Sequence, residues 1–326
     1  MVPVLRSAGH EVVGLDTDFF KGCTFGKAEA TIAEIRKDIR DLSPRDLRGF
    51  DAVIHLAALS NDPLGEINPE LTFDINHVGS VILGKLAKDA GVRRFLYSSS
   101  CSMYGSAGSS FVTEEAPLAP LTPYAISKVK TEEDLRRLAG DDFSPVYMRN
   151  ATVYGVSPRL RADLVLNNLV LWAHTTGRIR ILSDGTPWRP IIHVQDLTNA
   201  FLAALVGPVE VIHNQAFNVG IDTENYQVRD LAEFVREAVP GCSIEYAEGG
   251  GPDPRSYRVD FGKIRRQLPD FHPKWTARVG ARELYEAVKK EGFTLADFQG
   301  RKYVRLAQIK YLISKGLIDG NFRWRN

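Results

Sequence analysis

Tyr124 and Lys128 stand four residues apart in the run Tyr124-Ala125-Ile126-Ser127-Lys128. On a helix that spacing puts both side chains on one face. A phenol alone is a poor base at neutral pH, because its reference pKa is about 10. An ammonium one turn away favours the phenolate and is expected to lower that pKa. Ser100, in the run Tyr97-Ser98-Ser99-Ser100-Cys101-Ser102-Met103-Tyr104-Gly105, offers a hydroxyl to the substrate oxygen whose proton moves. The three side chains form an acid/base relay for interconverting an alcohol and a ketone. The carbon-bound hydrogen then has to leave as hydride, which implies a nicotinamide acceptor.

The relay needs elements to position it. Phe95-Leu96-Tyr97 reads as a strand that delivers the serines to the end of a sheet, and Pro123 suits the first position of the helix carrying Tyr124. Upstream, the chain opens on a helix end stopped by Gly9, followed by a short buried strand, Glu11 to Asp16. A second apolar run, Asp51 to Ala58, has strand length and ends in Leu56, Ala57 and Ala58, where small side chains permit close approach of a cofactor. His55 in this run reads as structural. The loop Leu59-Ser60-Asn61-Asp62-Pro63 leaves that strand at its carboxyl end, where ligands sit in open α/β sheets, so Ser60 and Asn61 are candidate sugar contacts. Asp74 to Lys88 reads as a helix, Phe217 to Gly220 as a late strand and Val228 to Val239 as an amphipathic helix.

Composition sets bounds. The 326 residues exceed the usual size of a single core, so one large and one smaller domain are expected. The 41 Lys and Arg balance 40 Asp and Glu, which disfavours nucleic-acid binding as the main function. Cys23, Cys101 and Cys242 are scattered, with no spacing that suggests a metal or a disulfide framework. There is no apolar stretch of about 18 residues to span a membrane, and no secretory signal at the first residues. A reducing cytoplasm is the expected compartment.

The strand-end serines, the following loop and the helix with YxxxK together resemble the extended short-chain dehydrogenase/reductases, specifically the NAD-dependent epimerase/dehydratase family acting on nucleotide sugars. The resemblance runs from residue 1 to about 295. It implies an α/β fold: a Rossmann-type, doubly wound parallel sheet with a smaller, interleaved α/β substrate domain. Residues 1–157 and 188–228 are assigned to NAD binding, 158–187 and 229–295 to the nucleotide sugar, and 296–326 to a helical extension. Tyr303 to Ile313 has helical spacing and is expected to pack on the substrate domain. The family begins with a strand and a GxxGxxG turn. Here the first helix stands at Met1, so the expected start lies roughly 20 residues upstream, the size of a strand plus turn. The alternative is a chain that starts here and binds its cofactor poorly.

The resemblance also assigns residues. Asp16 holds the ribose hydroxyls and repels a 2′-phosphate, favouring NAD over NADP. Asp38 and Ile39 flank the adenine, while Leu56, Ala57, Ala58, Ser98, Tyr124 and Lys128 complete the cofactor site. On the substrate side stand Ser60, Asn61, Ser102, Asn150, Thr152, Asn168, Arg189 and Arg255. Thr152 occupies a position where relatives keep an asparagine for the diphosphate, with Asn150 two residues earlier. Arg189, in Trp188 to Asp196, and Arg255, with Arg258 behind it, suit phosphate through forked hydrogen bonds. His193 and Asp196 hold their loop and cap the next helix, and Ser183 to Trp188 reads as a hairpin-like loop. Gly249-Gly250-Gly251 lacks the Gly-Lys-Ser/Thr of a P-loop. Asn76 lies in a helix that, with the Tyr124 helix, forms a homodimer interface in relatives.

One detail separates the chemistries within the family. The 4,6-dehydratases carry an Asp-Glu pair just after the catalytic hydroxyl, because they must eliminate water. Here those positions hold Cys101 and Ser102. The sequence therefore reads as an epimerase, with a 4-keto-sugar reductase or atypical dehydratase as the alternative. A non-catalytic, nucleotide-sensing Rossmann protein is the alternative of another class.

Overall fold

Four strands, β3 (Ala52–His55), β4 (Arg94–Ser100), β6 (Ser144–Asn150) and β10 (Ala216–Val219), line up in the order β10-β6-β4-β3, every pair parallel. This is a computed structural model, and it describes residues 1–27, 32–248, 251, 253 and 255–325. Side chains alternate across the sheet, as a period of two requires. Phe95, Tyr97 and Tyr147 pack on one face with Leu83, Ala87 and Leu135. Leu96, Val146 and Met148 pack on the other with Ala200, Phe201 and Ala204. Helices Ser80–Asp89 and Pro123–Arg136 thus cover one face and Val194–Val206 the opposite one. Near-continuous apolar strands are what a sheet buried on both sides demands.

Two further strands, β1 (Val13–Asp16) and β2 (Ala33–Arg36), form a separate parallel pair in which Asp16 lies opposite Arg36. β5 (Ser106–Val112) pairs with β13 (Ser256–Val259), so a late segment returns beside the residues that follow the serine cluster. β7 (Thr152–Tyr154) and β9 (Trp188–His193) run parallel, and β11 (Asn225–Gln227) joins β9 antiparallel. β8 (Arg178–Ile181) pairs with β12 (Ser243–Tyr246). The hairpin expected at Ser183 to Trp188 is therefore not formed: the strands before and after it pair elsewhere. Helices Val165–Thr176, Val228–Ala238 and Ala277–Lys290 build a second apolar core around Leu169, Ile179, Leu231, Val235 and Leu284. Gly249 and Gly250 of the triple glycine lie outside the described residues.

The helix Arg305–Ser314 corrects an expectation. Tyr303 joins the second core, but Ile309 and Leu312 pack with Phe19, Leu59, Leu64, Leu71 and Ile75, beside the parallel sheet. Its apolar face was legible in the sequence. Its docking partner was not, because amphipathic spacing fixes which face is buried and says nothing of what covers it.

Candidate active site

β4 ends in Ser98, Ser99 and Ser100, and a short 3₁₀ turn, Cys101–Tyr104, follows at once. The Ser100 hydroxyl accepts from the Ser102 amide at 3.2 Å, which starts that turn. The helix Pro123–Arg136 begins with Thr122 as its cap, accepting from the Ala125 amide, and proline in the first turn. Lys128 is buried and its Nζ donates to the Ser98 carbonyl at 2.7 Å, joining helix to strand end. The same ammonium stands 4.6 Å from the Tyr97 ring centre and 5.7 Å from that of Tyr124. The Ser100 hydroxyl lies beside the Tyr124 phenol and helps to lower its pKa. Ser100, Tyr124 and Lys128 therefore converge.

Their electrostatics differ from expectation. Burial pushes the Tyr124 phenol above its ordinary value, and the Ser100 hydrogen bond and the charge of Arg161 only partly oppose it. Burial likewise pulls Lys128 down to about 7, with Glu132 opposing. The spacing predicted a lysine that lowers the tyrosine. Instead, desolvation acts on both groups, and the lysine points its proton at a backbone carbonyl.

This shift carries a stability signature. The folded Lys128 value of about 7 lies below its ordinary 10.5, so between about pH 7 and 10 the unfolded chain holds the extra proton. Stability from this group rises with pH across that window, by up to about 1.4 kcal/mol per unit, and is lost as pH falls toward 7. Urea unfolding at several pH values is expected to show a steeper rise in the wild type than in Lys128→Met. Parallel curves would contradict the assignment.

The structure settles several neighbouring residues. Asn76 sits in a π-helical turn, Asp74–Gly79. Its Oδ1 accepts from the Leu59 amide at 2.7 Å, and its Nδ2 donates to the Leu59 carbonyl and to Ser127. It locks the loop after β3 onto the Tyr124 helix. Such π-bulges recur at functional sites. His55 is buried between the Phe95 and Tyr97 rings, bonds Ser80 at 2.7 Å and is held neutral by burial, its pKa down to about 3. Cys101 is buried with its thiol pushed up by burial, which removes it as a nucleophile. His193 caps the helix Val194–Val206, bonds Glu283 and stacks on Trp275, while Asp196 accepts from the Lys274 and Trp275 amides.

Among the substrate candidates, Arg189 and Arg255 come together. Both bond the Asp253 carboxylate at 2.7 Å, and Arg255 also reaches Asp62. Burial raises the Asp253 carboxyl, but the Arg255 hydrogen bonds and both guanidinium charges more than offset it and hold the group low. Asn61 caps the helix Asp62–Gly65 and donates to Asp163. Asn150 donates to the Ser98 hydroxyl and the Ser99 carbonyl, and Asn168 to the Ala162 carbonyl. Thr152 is half-buried in β7. Sequence reasoning missed Arg161, which bonds Asp163 and reaches the Ser60 hydroxyl and carbonyl at 3.3 Å. Its signal was the Arg-x-Asp run after Gly155, which carries no spacing rule of its own.

The carboxyl ends of the strands also fit a dinucleotide. Asp16 is exposed at the end of β1, Leu56 is 49% exposed at the end of β3 beside exposed Ala57, and Ala58 is half-buried. Ile39 is buried and faces Gly79, while half-buried Asp38 binds Arg40. The Ser102 hydroxyl and the Asn150 Oδ1, both next to Ser100, are buried without a hydrogen-bond partner. Buried polar atoms of this kind call for a ligand or water.

Parallel strands wound on both faces, with Ser, Tyr and Lys meeting at their carboxyl ends, define a protein of the extended short-chain dehydrogenase/reductase type. The chain belongs to the NAD dependent epimerase/dehydratase family, whose model matches residues 1–220. It is 31% identical over 286 residues to a UDP-glucose 4-epimerase of Mycolicibacterium smegmatis, covering 83% of this chain and 85% of that one. It is 33% identical over 223 residues to a UDP-glucuronate 4-epimerase of Thermodesulfobacterium geofontis, with 67% of each covered. Among solved structures it resembles MoeE5 in complex with UDP-glucuronic acid and NAD, at 25% identity and a TM-score of 0.76, covering 89% of this chain and 94% of that one. The NDP-hexosamine 5,6-dehydratase TunA shares the fold at 23% identity and a TM-score of 0.77, over 88% and 92% of the two chains.

Proposed function

We propose that this chain is an NAD-dependent nucleotide-sugar epimerase acting at C4. The observation that carries the reading is the convergence of Ser100, Tyr124 and Lys128 with Cys101 and Ser102 in place of an acid/base pair. Similarity to UDP-glucose and UDP-glucuronate 4-epimerases supports it. Asp16, Asp38, Ile39, Leu56, Ala57, Ala58 and Ser98 hold the cofactor with Tyr124 and Lys128. Bound NAD supplies a reversible hydride acceptor for C4. Tyr124 takes the proton of the C4 hydroxyl, and Ser100 orients that oxygen. Tyr124 does this as the phenolate, whose charge Lys128 stabilises before the proton arrives. After the keto sugar turns its other face, Tyr124 returns the proton to the same oxygen. Arg189 and Arg255 exchange Asp253 for the substrate's diphosphate, with Ser60, Asn61, Ser102, Asn150, Thr152 and Asn168 around the sugar. Exposed Val78 and Ile82, on the turn Asp74–Gly79 and the helix after it, support a homodimer through that face.

The test is incubation of the chain with UDP-glucose and UDP-glucuronate, followed by proton NMR and mass spectrometry. The expected product is the C4 epimer at unchanged mass. Loss of one water identifies a dehydratase, stoichiometric consumption of NADH a reductase, and binding without conversion a sensor. Arg255→Ala is expected to raise KM about ten- to hundred-fold with a smaller change in kcat, from hydrogen bonds to charged groups worth about 1.5–3 kcal/mol. Initial-rate kinetics check it. An unchanged KM would remove Arg255 from the diphosphate site.

A further inference from the structure

Residues 315–325 have no role in the reading above, yet they lie against the region assigned to the adenosine half of the cofactor. The Asp319 carboxylate accepts from the Asn321 and Arg323 amides and folds a tight turn. That turn presents Arg323 and Trp324. The Trp324 indole donates to the carbonyl of Thr17, the residue after Asp16, and its ring lies 5.6 Å from Phe19. Arg323 reaches Asp41 and, at 3.3 Å, Asp38. Arg40, bound to Asp38, donates in return to the Asn321 carbonyl at 3.0 Å. The segment therefore bridges the end of β1 to the turn after β2. A cavity of about 440 Å³ lies between them, within the roughly 300–1,000 Å³ of small-ligand sites. Its walls carry Arg36, Lys37, Arg323 and Arg325 with Asp38 and Asp41 beside the Phe19 and Trp324 rings. Arg36 pairs with Asp18, Lys37 with Asp46 and Arg323 with Asp38 and Asp41, so the walls combine aromatic and charged groups that suit a nucleoside.

We propose that residues 319–325 form a wall of the adenosine pocket, with Trp324 and Arg323 closing the site over an adenine nucleotide. This rests on the reading of the chain as an NAD-binding protein and adds residues to its cofactor site. The wall holds the cofactor by its inert end, remote from Tyr124. An epimerase benefits from such a hold, because the same cofactor must remain through both halves of each turnover.

The test is calorimetric titration of the full chain, and of its Trp324→Ala and Arg323→Ala variants, with NAD, with AMP as a probe of the adenosine half, and with UDP as a control. The expected result is NAD and AMP binding at least ten-fold weaker in Trp324→Ala, UDP binding unchanged, and recovery in Trp324→Phe. NAD is also expected to slow tryptic cleavage after Arg323 in the wild type, a readout that needs no variant. Folded variants that bind NAD as the wild type does, or more tightly, overturn the wall and leave the proposed function standing. A wild-type chain that binds neither NAD nor AMP overturns the function and the wall together. NAD binding that weakens in Trp324→Ala while no sugar is converted upholds the wall and overturns the epimerase.

Discussion

Tyr124→Phe is expected to lower sugar interconversion by about 10²–10⁴-fold, the range for a lost general acid/base. The substitution removes one oxygen and keeps the ring. Ser100 loses its phenol partner, while the Lys128 bond to the Ser98 carbonyl does not involve the phenol. The melting temperature should therefore match the wild type, and cofactor content, measured after denaturing the purified protein, separates loss of the base from loss of the cofactor. Ser100→Ala is expected to cost less, since the base remains and only the orientation of the oxygen suffers. The pH profile adds a second check. Burial keeps the phenol protonated in the empty protein, while Lys128 loses its charge above about pH 7, so the wild-type rate should climb toward neutrality and then level off. The residual rate of Tyr124→Phe should lack that climb. A variant retaining more than about a tenth of the rate would end Tyr124's role as the base and direct attention to the carboxylates Asp62 and Asp163.

The convergence of Ser100, Tyr124 and Lys128 was legible in the sequence because its parts are local. A strand that ends in serines and a helix that opens with proline each declare themselves within a few residues, and a parallel sheet then brings them to one end. The apolar run of β4 and the spacing of Val228–Ala238 were legible for the same reason. What escaped was long-range or depended on solvation. Arg161 meets Ser60 across 101 positions, and Trp324 meets Thr17 across 307. No periodicity links such pairs. The role of Asn76 escaped because it lies in the backbone of Leu59, which sequence does not display. The effect of Lys128 on Tyr124 was misjudged because spacing gives proximity and says nothing of the water that burial removes.

Arg149→Met is expected to destabilise the fold by about 3–5 kcal/mol, the cost of leaving a buried charge without its partner. Arg149 on β6 and Glu132 on the Tyr124 helix are both buried. The guanidinium donates to Glu132 through Nε and Nη2, the latter at 2.8 Å, and through Nη1 to the Tyr104 hydroxyl and the Glu114 carbonyl. Burial lowers the Arg149 pKa, but Glu132 outweighs it and drives the value up, so the pair stays ionic. One bond network thus pins the Tyr124 helix to the central sheet and to the turn after Ser100. Arg149→Met leaves the carboxylate, one helical turn from Lys128, with only the longer 3.7 Å pairing to Arg136, and urea titration should show the midpoint fall with an unchanged slope. Arg149→Met combined with Glu132→Leu removes both charges and should recover most of the loss, as an apolar replacement of a buried pair does. Recovery of stability without recovery of turnover would show that the pair's work is to aim the helix. If Arg149→Met alone costs less than about 1 kcal/mol, the ion pair does not hold the helix, and the fixing of Tyr124 falls to Asn76 and the Lys128–Ser98 bond.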